Sequence, residues 1–153
     1  MKQVLFVCLG NICRSPSAQG VFEARLAERG LQRAYQVDSA GTGGYHAGEP
    51  PDRRAQAAAR RRGYDISGQR ARAVRDGDFH EYDLILAMDR SNLANLLQRA
   101  PANYRAQVRL FMAGVEGWPQ EVPDPYFGGE QGFEQVLDML EAASDALLAE
   151  HGH

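Results

Sequence analysis

Cys8 and Arg14 lie six positions apart in the stretch Val4-Leu5-Phe6-Val7-Cys8-Leu9-Gly10-Asn11-Ile12-Cys13-Arg14-Ser15-Pro16. A thiol and a guanidinium brought together by a tight loop can do nucleophilic chemistry on an oxyanion. The thiolate supplies the attacking electron pair, and the planar fork of arginine donors matches phosphate oxygens. A free cysteine titrates near a pH of about 8.5, and a helix N-terminus with a guanidinium beside it lowers that value, so Cys8 is expected as thiolate at neutral pH. Gly10 and Asn11 tolerate the positive φ that a tight cradle requires. The Ser15 hydroxyl is placed to donate to the thiolate and to cap the helix that Pro16 begins. The plainer alternative makes Cys8 a buried core cysteine at a strand end and Arg14 a surface charge at a helix start.

For that chemistry the chain must form a strand, a tight loop and a helix in succession. The apolar run Val4 to Val7 ends at Cys8, and Ser15-Pro16 reads as a helix start. Such a loop turns successive backbone N–H groups toward one point, where the helix adds its positive dipole end. Lys2 to Cys8 is the first strand and Ser15 to about Arg29 the first helix, with an apolar stripe through Ala18, Val21, Phe22 and Leu26 and a stop at Gly30. Tyr35 to Ala40 reads as a second strand. Gly41 to Pro51 is a glycine-rich loop with Tyr45 and His46 in its middle, and Asp52 to Arg62 a helix stopped by Gly63. A strand from Leu84 to Met88, a helix from Arg90 to Gln98, a strand from Val108 to Phe111, a loop from Met112 to Gly129 and a helix from Gly132 to Ala149 complete the chain. Strands alternate with helices, which implies an α/β fold: a doubly wound, four-stranded parallel sheet with helices on both faces. The Cys8 loop leaves the carboxyl end of the first strand, where such sheets bind ligands.

The chain has 153 residues, which fits a single domain spanning 1–153. A net charge of -3 and the absence of a nucleic-acid-binding motif argue against a nucleic-acid partner. Lys2 is the only lysine. Arg60-Arg61-Arg62, with Arg70, Arg72 and Arg75 beyond, reads either as solvated surface or as a patch for an acidic or phosphorylated partner. No apolar run approaches the ~20 residues of a membrane span and the N-terminus lacks the apolar region of a signal peptide, so a cytoplasmic protein without membrane insertion is expected. Two cysteines in one loop cannot staple a secreted scaffold, and no Cys or His cluster has zinc-ligand spacing, so neither a metal nor another cofactor is expected.

The run Val7 to Pro16 resembles the signature of the low-molecular-weight protein tyrosine phosphatases, and the likeness extends along the whole chain, through Asp38-Ser39 and Ala87-Met88-Asp89 before Ser91-Asn92. The resemblance implies Cys8 as nucleophile, Arg14 as stabiliser of the transferring oxygens, and Leu9, Gly10, Asn11, Ile12, Cys13, Arg14 and Ser15 as the phosphate loop. Asp124, in Pro123-Asp124-Pro125-Tyr126-Phe127, then becomes the general acid, held by two prolines that stiffen the backbone. Read by itself, Asp-Pro is more often only a turn. Tyr45 and Tyr126 correspond to aromatic walls that sandwich a phenyl ring. Ser39 corresponds to a serine that buttresses the loop, and Gln69 stands where relatives often carry a histidine. Gln69 can still donate a hydrogen bond. Relatives acting on phosphoarginine tend to carry threonine where this chain has Ile12, which points to phosphotyrosine. Phe127 stands where the family has a second tyrosine, which is a phosphorylation site in some relatives. Cys13 is either a small packing residue or the partner of Cys8 in a protective disulfide. The expected partner is a phosphotyrosine protein, with an autophosphorylated tyrosine kinase as one candidate. A protein arginine phosphatase and an arsenate reductase share the fold, though a reductase relay needs cysteines downstream of Cys13. A non-catalytic phosphotyrosine-binding module is the remaining alternative.

Overall fold

Lys2–Cys8 forms β1, and its alternating side chains feed two cores. The computed structural model describes residues 1–126 and 128–153. Phe127, and with it the reading of that position as a missing phosphorylation site, lies outside the described residues. After β1 come α1 (Arg14–Glu28), β2 (Tyr35–Gly41), α2 (Arg53–Arg61), α3 (Asp78–Glu81), β3 (Leu84–Ala87), α4 (Arg90–Arg99), β4 (Gln107–Leu110) and α5 (Glu130–Glu150). The four strands are all parallel, in the order β2-β1-β3-β4, so the α/β sheet expected from the alternation is what the chain builds.

On one face Val4, Phe6 and Cys8 pack with Phe22 and Leu26 of α1 and with Phe133, Val136 and Leu140 of α5. Phe6 sets its ring edgewise against Phe22 and Phe111, with centroids 5.7 and 4.9 Å away. On the other face Leu5 and Val7 pack with Phe79 of α3 and Leu96 of α4. Covering on both sides explains why β1 reads as a continuous apolar run. The chain passes from β1 outward to β2, then returns across β1 to β3, so the direction of winding reverses at β1. The crevice outside the carboxyl ends of β1 and β3 is the topological switch point.

Three sequence expectations are corrected. Helix α1 begins at Arg14, its N-terminal residue Cys13 has no side-chain cap, and Ser15 lies inside the first turn, so Ser15 does not cap the helix. The short α3 was not anticipated, because four residues cannot display a helical period. The arginine run is not one open patch. Arg61 pairs with Glu134 at 2.9 Å, and Arg62 with Glu134, Asp138 and Glu141 at 2.9, 2.9 and 3.0 Å, which ties α2 to α5. Arg72 turns inward to Asp78 and Asp38.

Candidate active site

The residues after β1 curl into a loop whose carbonyls point away from its concave side. Cys8 O accepts from Thr42 N, Leu9 O from Gly43 N, Ile12 O from Asp52 N and Cys13 O from the Ser17 hydroxyl, at 2.9, 2.9, 2.8 and 2.7 Å. With the oxygens engaged outside, the amide dipoles turn inward and form an anion-binding concavity. Asn11 supplies the reversal, with φ of 58°, in the left-handed region that asparagine tolerates. Gly10 does not share it, so the positive φ expected of both residues falls on one. Gly41 lets the loop press on the end of β2, since a Cβ there would lie 2.7 Å from Leu9 O and 3.2 Å from the Gly10 carbonyl carbon.

Cys8 is buried in this concavity, its sulfur 3.0 Å from Ser15 Oγ. Asn11 Nδ2 donates to Ser15 Oγ at 2.8 Å and to Ser39 Oγ at 3.0 Å. Ser39 Oγ in turn donates to Gln69 Oε1 across 3.4 Å, a long bond, while Gln69 Nε2 donates to Pro16 O at 3.0 Å. Gln69 therefore joins the network as expected, but it accepts from Ser39 and gives its proton to the helix. Cys13 is also a free, buried thiol. Burial, reinforced by Asp52, Cys8 and Asp124, pushes the Cys13 thiol far above the ordinary range, so it stays protonated.

Arg14 projects from the first turn of α1 and is 2% exposed. Its Nη1 donates to Asp89 Oδ2 at 2.7 Å and to Val122 O at 3.0 Å, and its Nη2 lies 3.7 Å from Asp124 Oδ2. Burial opposes the charge, but Cys8, Asp89 and Asp124 outweigh it and hold the guanidinium above its ordinary value. Asp124 comes from the long loop before α5, where its Oδ1 accepts from Tyr126 N at 3.0 Å. Tyr126 is backed by Arg54, which stands 5.6 Å from the ring centroid and donates to Tyr126 O at 2.7 Å.

These groups line a cleft of about 170 Å³ bounded by Cys8, Leu9, Gly10, Ile12, Cys13, Arg14, Tyr45, His46, Asp124 and Tyr126. Every predicted catalytic residue and both predicted wall tyrosines therefore share one cleft, while Asn11, Ser15, Ser39 and Gln69 support it from behind. Tyr45 is 75% exposed and stands at the rim. His46 forms much of the wall itself, tilted toward Tyr126 with centroids 6.5 Å apart and held by Glu49 at 2.9 Å.

Sequence reasoning missed Asp89, His46, Arg54 and Arg72 as site residues. Asp89 carried a signal, for it follows β3 at the carboxyl end of the sheet and opens α4 with a capping box to Asn92. His46 sits beside Tyr45 in a loop already assigned to the walls. Nothing local distinguishes Arg54 or Arg72 from other arginines. Together the groups can bind an oxyanion, present a sulfur to its central atom and place a carboxyl beside a departing oxygen.

The family model for low molecular weight phosphotyrosine protein phosphatases matches residues 3–152. A low molecular weight protein-tyrosine-phosphatase of Streptomyces coelicolor is 46% identical over 151 residues, which are 96% of this chain and 92% of that one. The crystal structure of a protein tyrosine phosphatase from Entamoeba histolytica superposes with a TM-score of 0.95 at 40% identity, covering 99% of this chain and 97% of that one. The Drosophila arginine phosphatase superposes with a TM-score of 0.92 at 31% identity, covering 100% and 99%. With nearly its whole length so matched, the chain belongs to the low molecular weight phosphotyrosine protein phosphatase family and is a phosphoric monoester hydrolase.

Proposed function

We propose that this protein hydrolyses phosphotyrosine in proteins through a cysteinyl-phosphate intermediate. The observation that carries the reading is the convergence of the Cys8 sulfur, the Arg14 guanidinium and the Asp124 carboxyl on one cleft with aromatic walls. The Cys8 thiolate attacks phosphorus in line, the S–P bond forms, and the bond from phosphorus to the phenolic oxygen breaks. Asp124 gives its proton to that oxygen and tyrosine leaves. Water then attacks the phosphorus and yields a proton to the Asp124 carboxylate. The S–P bond breaks and inorganic phosphate departs. Arg14 and the inward amides of residues 9–15 hold the transferring oxygens throughout, with Asp89 fixing the guanidinium by its Nη1. The Ser15 hydroxyl, 3.0 Å from the sulfur, favours the thiolate both as attacking and as leaving group.

A cleft walled by His46, Tyr45 and Tyr126 suits an aryl phosphate and is too deep for a short phosphoserine. Arginine phosphatase activity is the second reading, favoured by the likeness to the Drosophila enzyme. Ile12, which lines the cleft and is half-buried, speaks against it on the resemblance to phosphotyrosine enzymes. The protein works in the cytoplasm as one domain, on a phosphotyrosine protein such as an autophosphorylated tyrosine kinase, and under peroxide Cys8 and Cys13 close a protective disulfide. The deciding experiment is phosphate release from matched phosphotyrosine, phosphoserine and phosphoarginine peptides in EDTA, with Cys8→Ser as control. Turnover of phosphotyrosine alone, lost in the control, is expected. Preference for phosphoarginine establishes the second reading, and turnover in Cys8→Ser removes the covalent mechanism.

A further inference from the structure

Behind the phosphate loop the segment from Gln69 to Val74 runs beside the end of β2. Gly41 N donates to Arg72 O and Val74 N to Gly41 O, both at 2.8 Å. The segment belongs to no helix; it meets β2 through the bridge from Gly41 to Ala73 and the Ser39–Gln69 bond. Ala71 pairs through its backbone with the neighbouring loop, Gly48 N donating to Ala71 O at 2.8 Å and Ala71 N to Glu49 O at 2.9 Å. The Arg72 side chain adds a buried tie to the core. Its Nη1 and Nη2 grip the Asp78 carboxylate at 3.0 and 3.2 Å, and its Nε donates to Asp38 at 3.1 Å. Asp78, at the start of α3, is 1% exposed and also accepts from Arg75 N at 2.8 Å. Burial opposes the charge on Arg72, yet Asp78 and Asp38 outweigh it and hold the guanidinium above its ordinary range.

The backbone N–H of the same residue donates to Asn11 Oδ1 at 3.0 Å, across 61 positions of sequence. That bond decides which way the Asn11 carboxamide faces, because a flipped amide would set NH2 against N–H. With Oδ1 held there, Nδ2 must face the Ser15 and Ser39 oxygens, and both hydroxyls become acceptors. The Ser15 proton is then free to point at the Cys8 sulfur, 3.0 Å away, in preference to Ala40 O at 3.4 Å. A flipped Asn11 would instead accept the Ser15 proton and draw it from the sulfur.

We propose that Arg72 is a positioning residue for catalysis: its buried pair with Asp78 fixes the amide that orients Asn11, and through Asn11 and Ser15 it directs a hydrogen bond onto the Cys8 sulfur. The proposal rests on Cys8 being the nucleophile. Its test uses Asp78→Asn and Arg72→Lys with para-nitrophenyl phosphate, beside Asn11→Ala and Cys8→Ser. Each of the first two lowers kcat about tenfold with KM within about twofold, and slows carboxymethylation of Cys8 by iodoacetate at neutral pH. Combining Asp78→Asn with Asn11→Ala adds little to either loss, because both act on one relay. Should Arg72→Lys fail to fold, Asp78→Asn decides, since it keeps the shape while removing the charge and turning one of the two accepting oxygens into a donor. A folded Asp78→Asn with unchanged kcat and alkylation, or full additivity with Asn11→Ala, overturns the role of Arg72. Turnover retained by Cys8→Ser overturns the nucleophile instead, so the two failures are distinct.

Discussion

Asp124 divides its two oxygens between structure and charge. Oδ1 accepts from Tyr126 N and holds the loop, while Oδ2 faces Arg14 across 3.7 Å. An amide in its place keeps an oxygen for the loop and loses the transferable proton. Asp124→Asn is therefore expected to lower kcat/KM on phosphotyrosine by about 10² to 10³, and far less on para-nitrophenyl phosphate, whose leaving group departs without a proton. The kcat falls on both, because the same carboxylate takes the proton from water in the second step. Comparing kcat/KM on the two substrates checks this, and equal losses in kcat/KM would remove Asp124 as the acid of the first step. The two cysteines separate as sharply. Burial keeps Cys13 a thiol, so limited iodoacetate at neutral pH should label Cys8 alone, read by peptide mapping.

At the scale of elements, the site depends on helix starts. Asp52 caps α2 by accepting from Arg54 N at 2.8 Å, and its own N–H donates to Ile12 O at 2.8 Å, so one residue begins a helix and steadies the loop after β1. Burial alone would raise the Asp52 carboxyl, but the Arg54 bonds prevail and hold it below the usual range. Asp52→Ala is expected to cost about 1 kcal/mol of stability in urea unfolding, with a visible loss of activity as Arg54 is released from its place behind Tyr126. The strand, loop and helix that carry Cys8 were legible because their signals are local: an apolar run, a Gly-Asn turn and a Ser-Pro helix start. Asp124 was legible through its two prolines and the family likeness. Arg72 was not, since its side chain meets Asp38 and Asp78 only after β2 and α3 have packed, and in sequence it falls within an arginine-rich stretch. Arg62 misled for the same reason, because the acidic face of α5 that neutralises it lies more than seventy positions away.

Across the whole molecule, the far end of the sheet is closed by the last residues of the chain. Tyr35, opening β2, meets His151 Nδ1 at 3.0 Å and stacks on its ring, and His153 packs edgewise on the same tyrosine. Burial, with Lys2, Arg109 and His153 adding to it and Glu150 opposing, lowers the His151 pKa from its ordinary 6.5. The unfolded chain then binds the proton more readily, so this contribution is complete above pH 6.5 and is lost as pH falls below it. Urea midpoints at pH 7.5 and pH 5.5 should therefore differ less in His151→Gln, whose amide can still accept from Tyr35, than in the parent. At the opposite end, the loop whose carbonyls are bonded outward already turns its amides toward the concave side, where the proposed reaction puts the phosphoryl group. That readiness does not distinguish an ester from the free acid. On the proposed reading inorganic phosphate is expected to occupy the same cradle and compete with substrate, so that turnover slows as phosphate accumulates around the enzyme.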